Sequence, residues 1–260
     1  MYRLLTALAT AAALVCGIAE AKADAFADIL KNGVVRIAVP LDVPPFGSMS
    51  QERQPEGFDI DLAQMVGKAL GVKVELQQVT GANRIPYLLT DKVDIVISVM
   101  GLTPERAKQI MFTAPYADTN LAVYGPKSAA VKSAAELGSL RIVAAKGTTQ
   151  DLGLAEMNPQ ANIMRTEDDA TAATAYITGQ ADLFATNSLI IPDLMKRAPN
   201  KEFELKFVIR RSPAHMGVRM GEFALLQWLN SFIFFNTMNG ELDKLHRKWL
   251  NAPMAPLPTL

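Results

Sequence analysis

Short runs of β-branched and other apolar residues alternate along this chain with segments whose apolar residues recur at helical spacing. The runs at 34–39, 72–79 and 93–99 predict strands, and the segments at 59–70, 84–90 and 104–110 predict helices. Strands that alternate with helices in this way are typical of βαβ units. The pattern of hydrophobic and polar positions therefore predicts an α/β protein with mainly parallel sheets.

The same pattern then starts a second time. The segment 35–38, Val-Arg-Ile-Ala, is echoed by 140–143, Leu-Arg-Ile-Val, and the segment 90–95 is echoed by 178–183. Two similar α/β lobes would produce both echoes. Short matches between hydrophobic strands also arise by chance, so the echoes alone leave both explanations open.

Two helical segments, about 221–236 and 240–250, end the pattern. They carry large apolar residues at helical spacing, namely Trp228, Phe232, Phe235, Leu242, Leu245 and Trp249. A stripe of this kind predicts helices that pack against a core. It does not favour a cofactor site, because aromatic and leucine side chains at this spacing are the usual packing face of a helix.

The first 23 residues have the features of a secretory signal peptide. Arg3 supplies a positive charge, residues 4–18 are almost all apolar, and residues 21–23, Ala-Lys-Ala, form a typical cleavage site. The apolar run is shorter than the ~20 residues that a membrane-spanning helix needs. The sequence therefore predicts an exported protein whose mature chain begins at Asp24.

Composition narrows the functional classes. Cys16 is the one cysteine and lies in the signal segment, so the mature chain offers neither a disulfide nor a thiolate site. The 26 basic and 26 acidic side chains balance, and they form no block of like charge, which argues against a nucleic-acid partner. His215 and His246 are too few for a metal cluster. We therefore expect no metal and no cofactor.

Three motifs follow one another in the mature chain. The segment 57–63 is GFDIDLA, the strand-like segment 93–98 runs into Thr-Pro-Glu-Arg at 103–106, and a strand at 141–145 opens into Gly-Thr-Thr-Gln at 147–150. In content and order these motifs resemble the bacterial extracellular solute-binding proteins of family 3. That family comprises the periplasmic polar amino-acid-binding proteins of ABC transporters. The resemblance covers nearly the whole mature chain.

The resemblance implies a two-lobed periplasmic-binding-protein fold, also called a Venus-flytrap fold. Each lobe would be a mainly parallel sheet flanked by helices, and two hinge crossings would connect the lobes. Residues 24–118 plus 216–260 would form lobe 1, and residues 119–215 would form lobe 2. The signal peptide, residues 1–23, would be removed on export.

The resemblance also implies a function. The protein would lie in the periplasm, capture an amino acid or a related small carboxylate by hinge closure, and present it as a monomer to an inner-membrane ABC permease. One alternative is a periplasmic dehydratase on the same fold that acts on prephenate-like substrates. Another is a sensor that presents its ligand to a membrane receptor. The sequence contains no nucleophile elbow, phosphate loop or HExxH motif, so it does not favour an enzyme.

Arg106 is the first candidate for ligand binding. It resembles the arginine with which the family holds a ligand carboxylate, and a guanidinium can donate two parallel hydrogen bonds to such a group. The alternative is an exposed helix arginine. Val99 and Gly101 precede it in the same motif. Thr148 and Thr149 lie at a predicted helix start, where unpaired N–H groups favour an anion.

Several positions differ from the family pattern. Gly101 stands where a hydroxyl normally holds the ligand's α-ammonium, Asn187 stands where a carboxylate is expected, and Val43 replaces a stacking aromatic ring. Arg84 lies in a segment, Asn-Arg-Ile-Pro, that resembles acidic-amino-acid binders, in which the arginine holds a side-chain carboxylate. Its alternative is a helix-start arginine paired with an acidic neighbour such as Asp91. The identity of the ligand, and its need for an α-amino group, stay open.

Overall fold

The computed structural model describes residues 25–259, and the predicted signal peptide lies outside this range. The first part of the chain contains α1 (Ala25–Asn32), β1 (Val34–Val39), β2 (Ser48–Met49), β3 (Pro55–Glu56), α2 (Phe58–Leu70), β4 (Lys73–Gln78), α3 (Arg84–Leu89), β5 (Ile95–Gly101), α4 (Pro104–Ala107) and β6 (Ile110–Ala117). Over residues 25–259, every helix is too short or too polar to cross a membrane.

The second part begins with β7 (Asn120–Gly125), β8 (Arg141–Ala145), α5 (Thr149–Met157), β9 (Asn162–Thr166), α6 (Asp169–Ile177), β10 (Leu183–Asn187), α7 (Ile191–Arg197) and β11 (Glu204–Arg211). It ends with β12 (Ala214–Arg219), α8 (Phe223–Met238) and α9 (Glu241–Leu250). Short 3₁₀ turns lie at Ala134–Glu136 and Ser188–Ile190.

Two five-stranded sheets organise the molecule. The first has the strand order β4-β1-β5-β12-β6 and the second β11-β7-β10-β8-β9. In the first sheet β1 pairs in parallel with β4 and β5, whereas β12 runs antiparallel to β5 and β6. In the second sheet β8 pairs in parallel with β9 and β10, whereas β7 runs antiparallel to β10 and β11. Each sheet is therefore mixed, and its three neighbouring parallel strands, β4-β1-β5 and β10-β8-β9, lie at one side of the sheet, as expected for βαβ units.

The chain passes between the sheets twice. It leaves the first sheet at Ala117, enters the second at Asn120, and returns between Arg211 and Ala214. We call the part built on the first sheet lobe 1 and the part built on the second sheet lobe 2. Each lobe has its own apolar core, and helices pack against both sheets.

Buried β-branched side chains explain why the central strands form where the pattern predicts them. In β1, Val35, Ile37 and Val39 have no exposed surface, and all five residues of β10 are buried. Strands that are covered on both faces have nearly continuous apolar sequences. This sequence pattern distinguishes them from the neighbouring helices, in which apolar residues occupy one face only. The α/β prediction is therefore confirmed.

Two details of the prediction are wrong. The helix expected over 104–110 ends at Ala107, because the apolar run that starts at Ile110 joins the first sheet as β6 beside β12. In α8, Phe232 is buried as predicted, but Phe235 is 65% exposed. The predicted apolar stripe therefore overestimated how much of α8 the core covers.

Candidate functional site

A cavity of about 40 Å³ lies between the two lobes. Residues of both lobes and of both crossings line it, among them Val43, Arg84, Val99, Thr148, Thr149 and Asn187. These are six of the eight ligand-binding residues predicted from the sequence. Gly101 and Arg106 do not line this cavity, but both contact its wall residue Thr149, and Arg106 lines a neighbouring cavity together with Thr149. Val43 packs against the core of each lobe, so it lies where the lobes meet.

Three residues of the cavity wall carry a buried polar atom that has no hydrogen-bond partner among residues 25–259. These atoms are Asp42 Oδ1, Arg84 Nε and Asn187 Nδ2. An unsatisfied buried donor or acceptor costs about 1–3 kcal/mol, and native proteins contain few of them. Because these three unpaired atoms lie in one cavity, they indicate a binding site whose polar groups are available to a ligand.

Arg84 brings a guanidinium into this wall. The residue begins α3, is 6% exposed, and donates from Nη1 to the carbonyl oxygen of Ser98 at 2.7 Å. Burial lowers its pKa. Within the described chain no carboxylate lies within 4.0 Å of its guanidinium. Asp91 instead pairs with Arg36 and Arg219, at 3.0 and 2.8 Å. The alternative in which Arg84 pairs with Asp91 is therefore wrong.

Arg106 joins the two lobes. Its Nη1 donates to the Gly101 carbonyl oxygen at 2.7 Å and to Thr149 Oγ1 at 2.8 Å, and its Nη2 donates to the Gly147 carbonyl oxygen at 2.9 Å. All three acceptors are neutral. The side chain is buried, so the alternative of an exposed helix arginine is also wrong. Burial, together with the charge of Arg84, lowers the pKa of Arg106 to about 9.

Gly101 of lobe 1 lies close to Thr149 of lobe 2 and to Ser212 of the second crossing. A Cβ atom at this position would lie 2.2 Å from Ser212 Oγ and 2.9 Å from Thr149 Oγ1, so a larger residue would require these two side chains to move. The Ser212 hydroxyl therefore occupies the space that a side chain at 101 would fill. Sequence reasoning did not identify Ser212 as a site residue. The one sequence signal for it was its place in the predicted second crossing between the lobes.

Val99 forms part of the cavity wall in a strained conformation. Its φ is +43°, which is unfavourable for a β-branched residue. The backbone N–H of Val99 is held by Asp59 Oδ2 at 2.9 Å and by the Tyr116 hydroxyl at 3.0 Å, and that hydroxyl donates to Asp59 Oδ1 at 2.9 Å. Asp59 is fully buried and does not line the cavity. It acts on the site through the backbone of Val99.

Lobe 2 contributes the start of α5 and the end of β10. Thr148 is the N-cap of α5, and its Oγ1 accepts from the Asp151 N–H at 3.3 Å, so Thr149 is the first helical residue. Asn187 Oδ1 accepts from the Leu189 N–H at 2.9 Å and from the Thr119 hydroxyl.

The Leu189 N–H determines how Asn187 faces the cavity. A backbone N–H can only donate, so this contact identifies the oxygen of the amide, and Nδ2 is the atom left over. Asn187 therefore presents a donor to the cavity. The predicted role of this position in holding an ammonium group would require an acceptor.

Sequence reasoning missed two acidic residues of the wall. Asp42 of lobe 1 accepts through Oδ2 from the backbone N–H of Asp169, the first residue of α6 in lobe 2, at 2.9 Å. Desolvation raises the pKa of Asp42, and desolvation together with the charge of Asp42 raises the pKa of Asp169 to about 7. Both residues follow strands of the parallel parts of the sheets, β1 and β9, and the carboxyl ends of such strands are where α/β proteins place ligand sites.

The raised pKa of Asp169 predicts how stability depends on pH. The unfolded value is about 3.9, so the folded protein binds the extra proton between about pH 4 and 7, and this contribution to stability is lost as pH rises through 7. Asp169→Asn cannot titrate. Its free energy of unfolding should rise relative to wild type by up to about 1.4 kcal/mol per pH unit from pH 5 to 7, and then level off.

Urea unfolding of both proteins at pH 5, 6, 7 and 8 measures this difference. Asp28→Asn, a change at an exposed aspartate of α1, is the matched control for the loss of one carboxylate. A difference between Asp169→Asn and wild type that stays constant from pH 5 to 8 would contradict the raised pKa of Asp169.

Comparisons with known proteins agree with the motifs. The profile of the bacterial extracellular solute-binding proteins, family 3, matches residues 35–252. A glutamine-binding protein of an ABC transporter from Bacillus subtilis is 30% identical over 242 residues, which is 91% of this chain and 88% of that protein. A cyclohexadienyl dehydratase from Pseudomonas aeruginosa is 27% identical over 213 residues, 77% of this chain and 79% of the enzyme.

The fold is shared as well. The crystal structure of an ancestral amino acid-binding protein, a precursor of cyclohexadienyl dehydratase, superposes with a TM-score of 0.80 at 33% identity and covers 87% of this chain and 99% of that one. It confirms the two-lobed binding-protein architecture. With the profile match over most of its length and the two lobes closed on one cavity, the chain belongs to the bacterial extracellular solute-binding proteins, family 3.

Proposed function

We propose that this protein is the periplasmic solute-binding component of an ABC importer and that it captures an amino acid or a related small carboxylate between its lobes. The observation that carries the proposal is the pair of buried arginines, Arg84 and Arg106, beside one cavity. Neither has a carboxylate partner within 4.0 Å among the residues that the structure describes. The relatives named for glutamine and for amino-acid binding support the choice of ligand class.

A buried guanidinium is unfavourable unless an anion offsets its lost hydration. Arg106 has three neutral acceptors, and its pKa is lowered first by burial and then by the charge of Arg84. A ligand carboxylate that takes the place of the Thr149 hydroxyl would supply the missing negative charge. A carboxylate adds the attraction between opposite charges, which a neutral hydroxyl cannot supply, so this exchange favours binding.

Hinge closure is the proposed mechanism. The ligand first contacts lobe 1 through Arg106, Arg84, Val99 and the backbone N–H of Gly101, with Val43 beside it. Residues 119–215 then close over it and bring Thr148, Thr149 and Asn187 to the cavity. Contacts made only in the closed state shift the population toward it, so the lobe 2 residues control closure as well as affinity. The membrane permease would recognise the closed form.

An enzyme remains the second candidate because of the dehydratase relative. The feature of this chain that favours it is the presence of two carboxyl groups of raised pKa, those of Asp42 and Asp169, in the cavity wall. A carboxylic acid that keeps its proton near neutral pH is able to act as a general acid. The transport-related relatives favour binding without catalysis.

A thermal-shift screen of residues 24–260 separates these functions. The ligands are the L-amino acids, the same carboxylates without the amine, dicarboxylates and prephenate. A ligand at 100 times its dissociation constant should stabilise the protein by about 2.7 kcal/mol, which raises the melting temperature by several degrees. We expect a shift with one chemical group of amino acids and recovery of the ligand unchanged. An unchanged melting temperature with every ligand contradicts solute binding, and conversion of prephenate identifies the enzyme.

A further inference from the structure

Two carboxylates and one guanidinium are the charged groups of the cavity wall among residues 25–259, and they come from both lobes. Asp42 and Arg84 belong to lobe 1, and Asp169 belongs to lobe 2. Asp42 uses Oδ2 to accept from the Asp169 N–H, and Asp169 Oδ1 accepts from Gln150 Nε2 at 3.3 Å. In this part of the chain neither carboxylate has a cation within 4.0 Å. The wall therefore holds two partly buried acids that lack a direct counter-ion.

Closure of the lobes places these two acids next to each other. Their charges repel, and the loss of solvent adds to the cost of keeping both ionised. The pKa of each is accordingly raised, first by desolvation, and for Asp169 next by the charge of Asp42. A ligand cation between them would offset both effects, since an opposite charge at this distance favours the ionised carboxylate.

The free atoms of the wall define what such a ligand must carry. Arg84 Nε and Asn187 Nδ2 are donors without an acceptor, and Asp42 Oδ1 is an acceptor without a donor. An ammonium group has three donors and no acceptor, so it cannot bind Asn187 Nδ2 or Arg84, and Asp42 Oδ1 is its natural partner. A carboxylate, which only accepts, matches the two free donors. The wall is therefore complementary to a molecule that carries both groups.

We infer that Asp42 and Asp169 form the ammonium subsite of this protein, and that the ligand is a zwitterion whose amino group lies between the lobes at this pair of carboxylates. The inference rests on the proposed solute-binding function and specifies its ligand class. It assigns recognition of the amino group to Asp42 and Asp169, and it assigns Asn187 to a ligand acceptor.

The position of the pair gives the ammonium group a second effect. Because Asp42 is in lobe 1 and Asp169 is in lobe 2, a cation held by both contacts the two lobes at once. Such a contact exists only in the closed state, so it shifts the equilibrium toward closure. A carboxylate without the amine lacks this contact and leaves the two acids facing each other.

The test compares Asp42→Asn with wild type. Asparagine keeps an oxygen that is able to accept from the Asp169 N–H, so the variant removes the charge and preserves the contact between the lobes. Calorimetric titration with each L-amino acid and with its deaminated counterpart supplies the readout. We expect Asp42→Asn to lower the affinity for the bound amino acid by about 10-fold or more, and to leave the deaminated counterpart unchanged or tighter.

Two further variants sharpen the result. Asp28→Asn, at the exposed aspartate of α1, should leave both affinities unchanged. Asn187→Asp turns the free donor of the wall into an acceptor that faces the ligand carboxylate, so it should weaken binding of the amino acid and of its deaminated counterpart alike.

The outcomes for this inference and for the proposed function are distinct. Equal affinities of wild type for an amino acid and its deaminated counterpart, or an Asp42→Asn variant that binds the amino acid as wild type does, overturn the ammonium subsite alone. Failure of the wild-type protein to bind any member of either series overturns the solute-binding function, and the subsite with it.

Discussion

Replacement of Arg106 by methionine is expected to lower the affinity for a carboxylate-bearing ligand by about 100-fold or more. Hydrogen bonds to charged groups contribute about 1.5–3 kcal/mol each, and a guanidinium donates two of them to one carboxylate. The loss of two such bonds corresponds to a factor of roughly 10² to 10⁴ in the dissociation constant. Methionine keeps most of the length of the side chain, so the change removes charge and donors with little loss of volume. Calorimetric titration measures the effect.

Arg106→Lys is the matched control, because lysine keeps the charge without the planar fork. We expect it to bind more weakly than wild type and more tightly than Arg106→Met. Both variants lose the bonds to Gly101, Gly147 and Thr149, so the melting temperature without ligand reports the structural effect separately. If Arg106→Met retains wild-type affinity while Arg84→Met loses it, the carboxylate anchor is Arg84 and the assignment to Arg106 is wrong.

Local sequence signals account for the parts of the fold that could be predicted. The strand at 34–39 was predicted to the residue from its run of β-branched residues, and the structure shows why it ends there: Gly33 precedes it with a φ of +68° and Pro40 follows it without a backbone N–H. The strand at 141–145 is equally well bounded, with Gly147 at a φ of +70° after it. Turn-forming residues and continuous apolar runs act over a few positions, and a single sequence displays them fully.

The parts that could not be predicted depend on contacts between distant segments. Whether Ile110 continues a helix or starts a strand was decided by β12, about a hundred residues later in the chain. The hydrogen bond between Asp42 and Asp169 spans 127 positions. Neither aspartate has a local feature that separates it from a solvated surface carboxylate. The motif residues Arg106 and Thr149 were found because the resemblance marks them, whereas Asp42 and Asp169 carry no such mark.

The role of Asn187 shows a further limit. Its position in the site could be predicted, but the direction of its donor could not. That direction depends on the Leu189 N–H and the Thr119 hydroxyl, which occupy its oxygen. Hydrogen-bond polarity is set by all the partners of a group together. Asn187 therefore lies in the site as predicted, but it presents a hydrogen-bond donor to the ligand, whereas the predicted role requires an acceptor.

Replacement of Asp59 by alanine is expected to lower the free energy of unfolding by about 3 kcal/mol, although Asp59 does not touch the cavity. The carboxyl group is fully buried and accepts from the Val99 N–H and the Tyr116 hydroxyl. Alanine leaves the hydroxyl without an acceptor and opens a small void, and each unsatisfied buried group costs about 1–3 kcal/mol. Urea unfolding at pH 7 measures the loss.

Asp59→Asn separates this network from simple burial. The amide oxygen can accept from the Val99 N–H and the amide nitrogen can donate to the Tyr116 oxygen, so we expect a loss below about 1 kcal/mol. In Asp59→Ala the Val99 N–H keeps only the Tyr116 hydroxyl, so Val99 is freer to leave its φ of +43°, which itself costs about 1–3 kcal/mol, and the cavity wall changes shape. Asp59→Ala should therefore also bind ligand more weakly than Asp59→Asn. Equal stability and equal affinity of the two variants would mean that Asp59 only fills space, and that the strained backbone of Val99 is held by the packing of β5 alone.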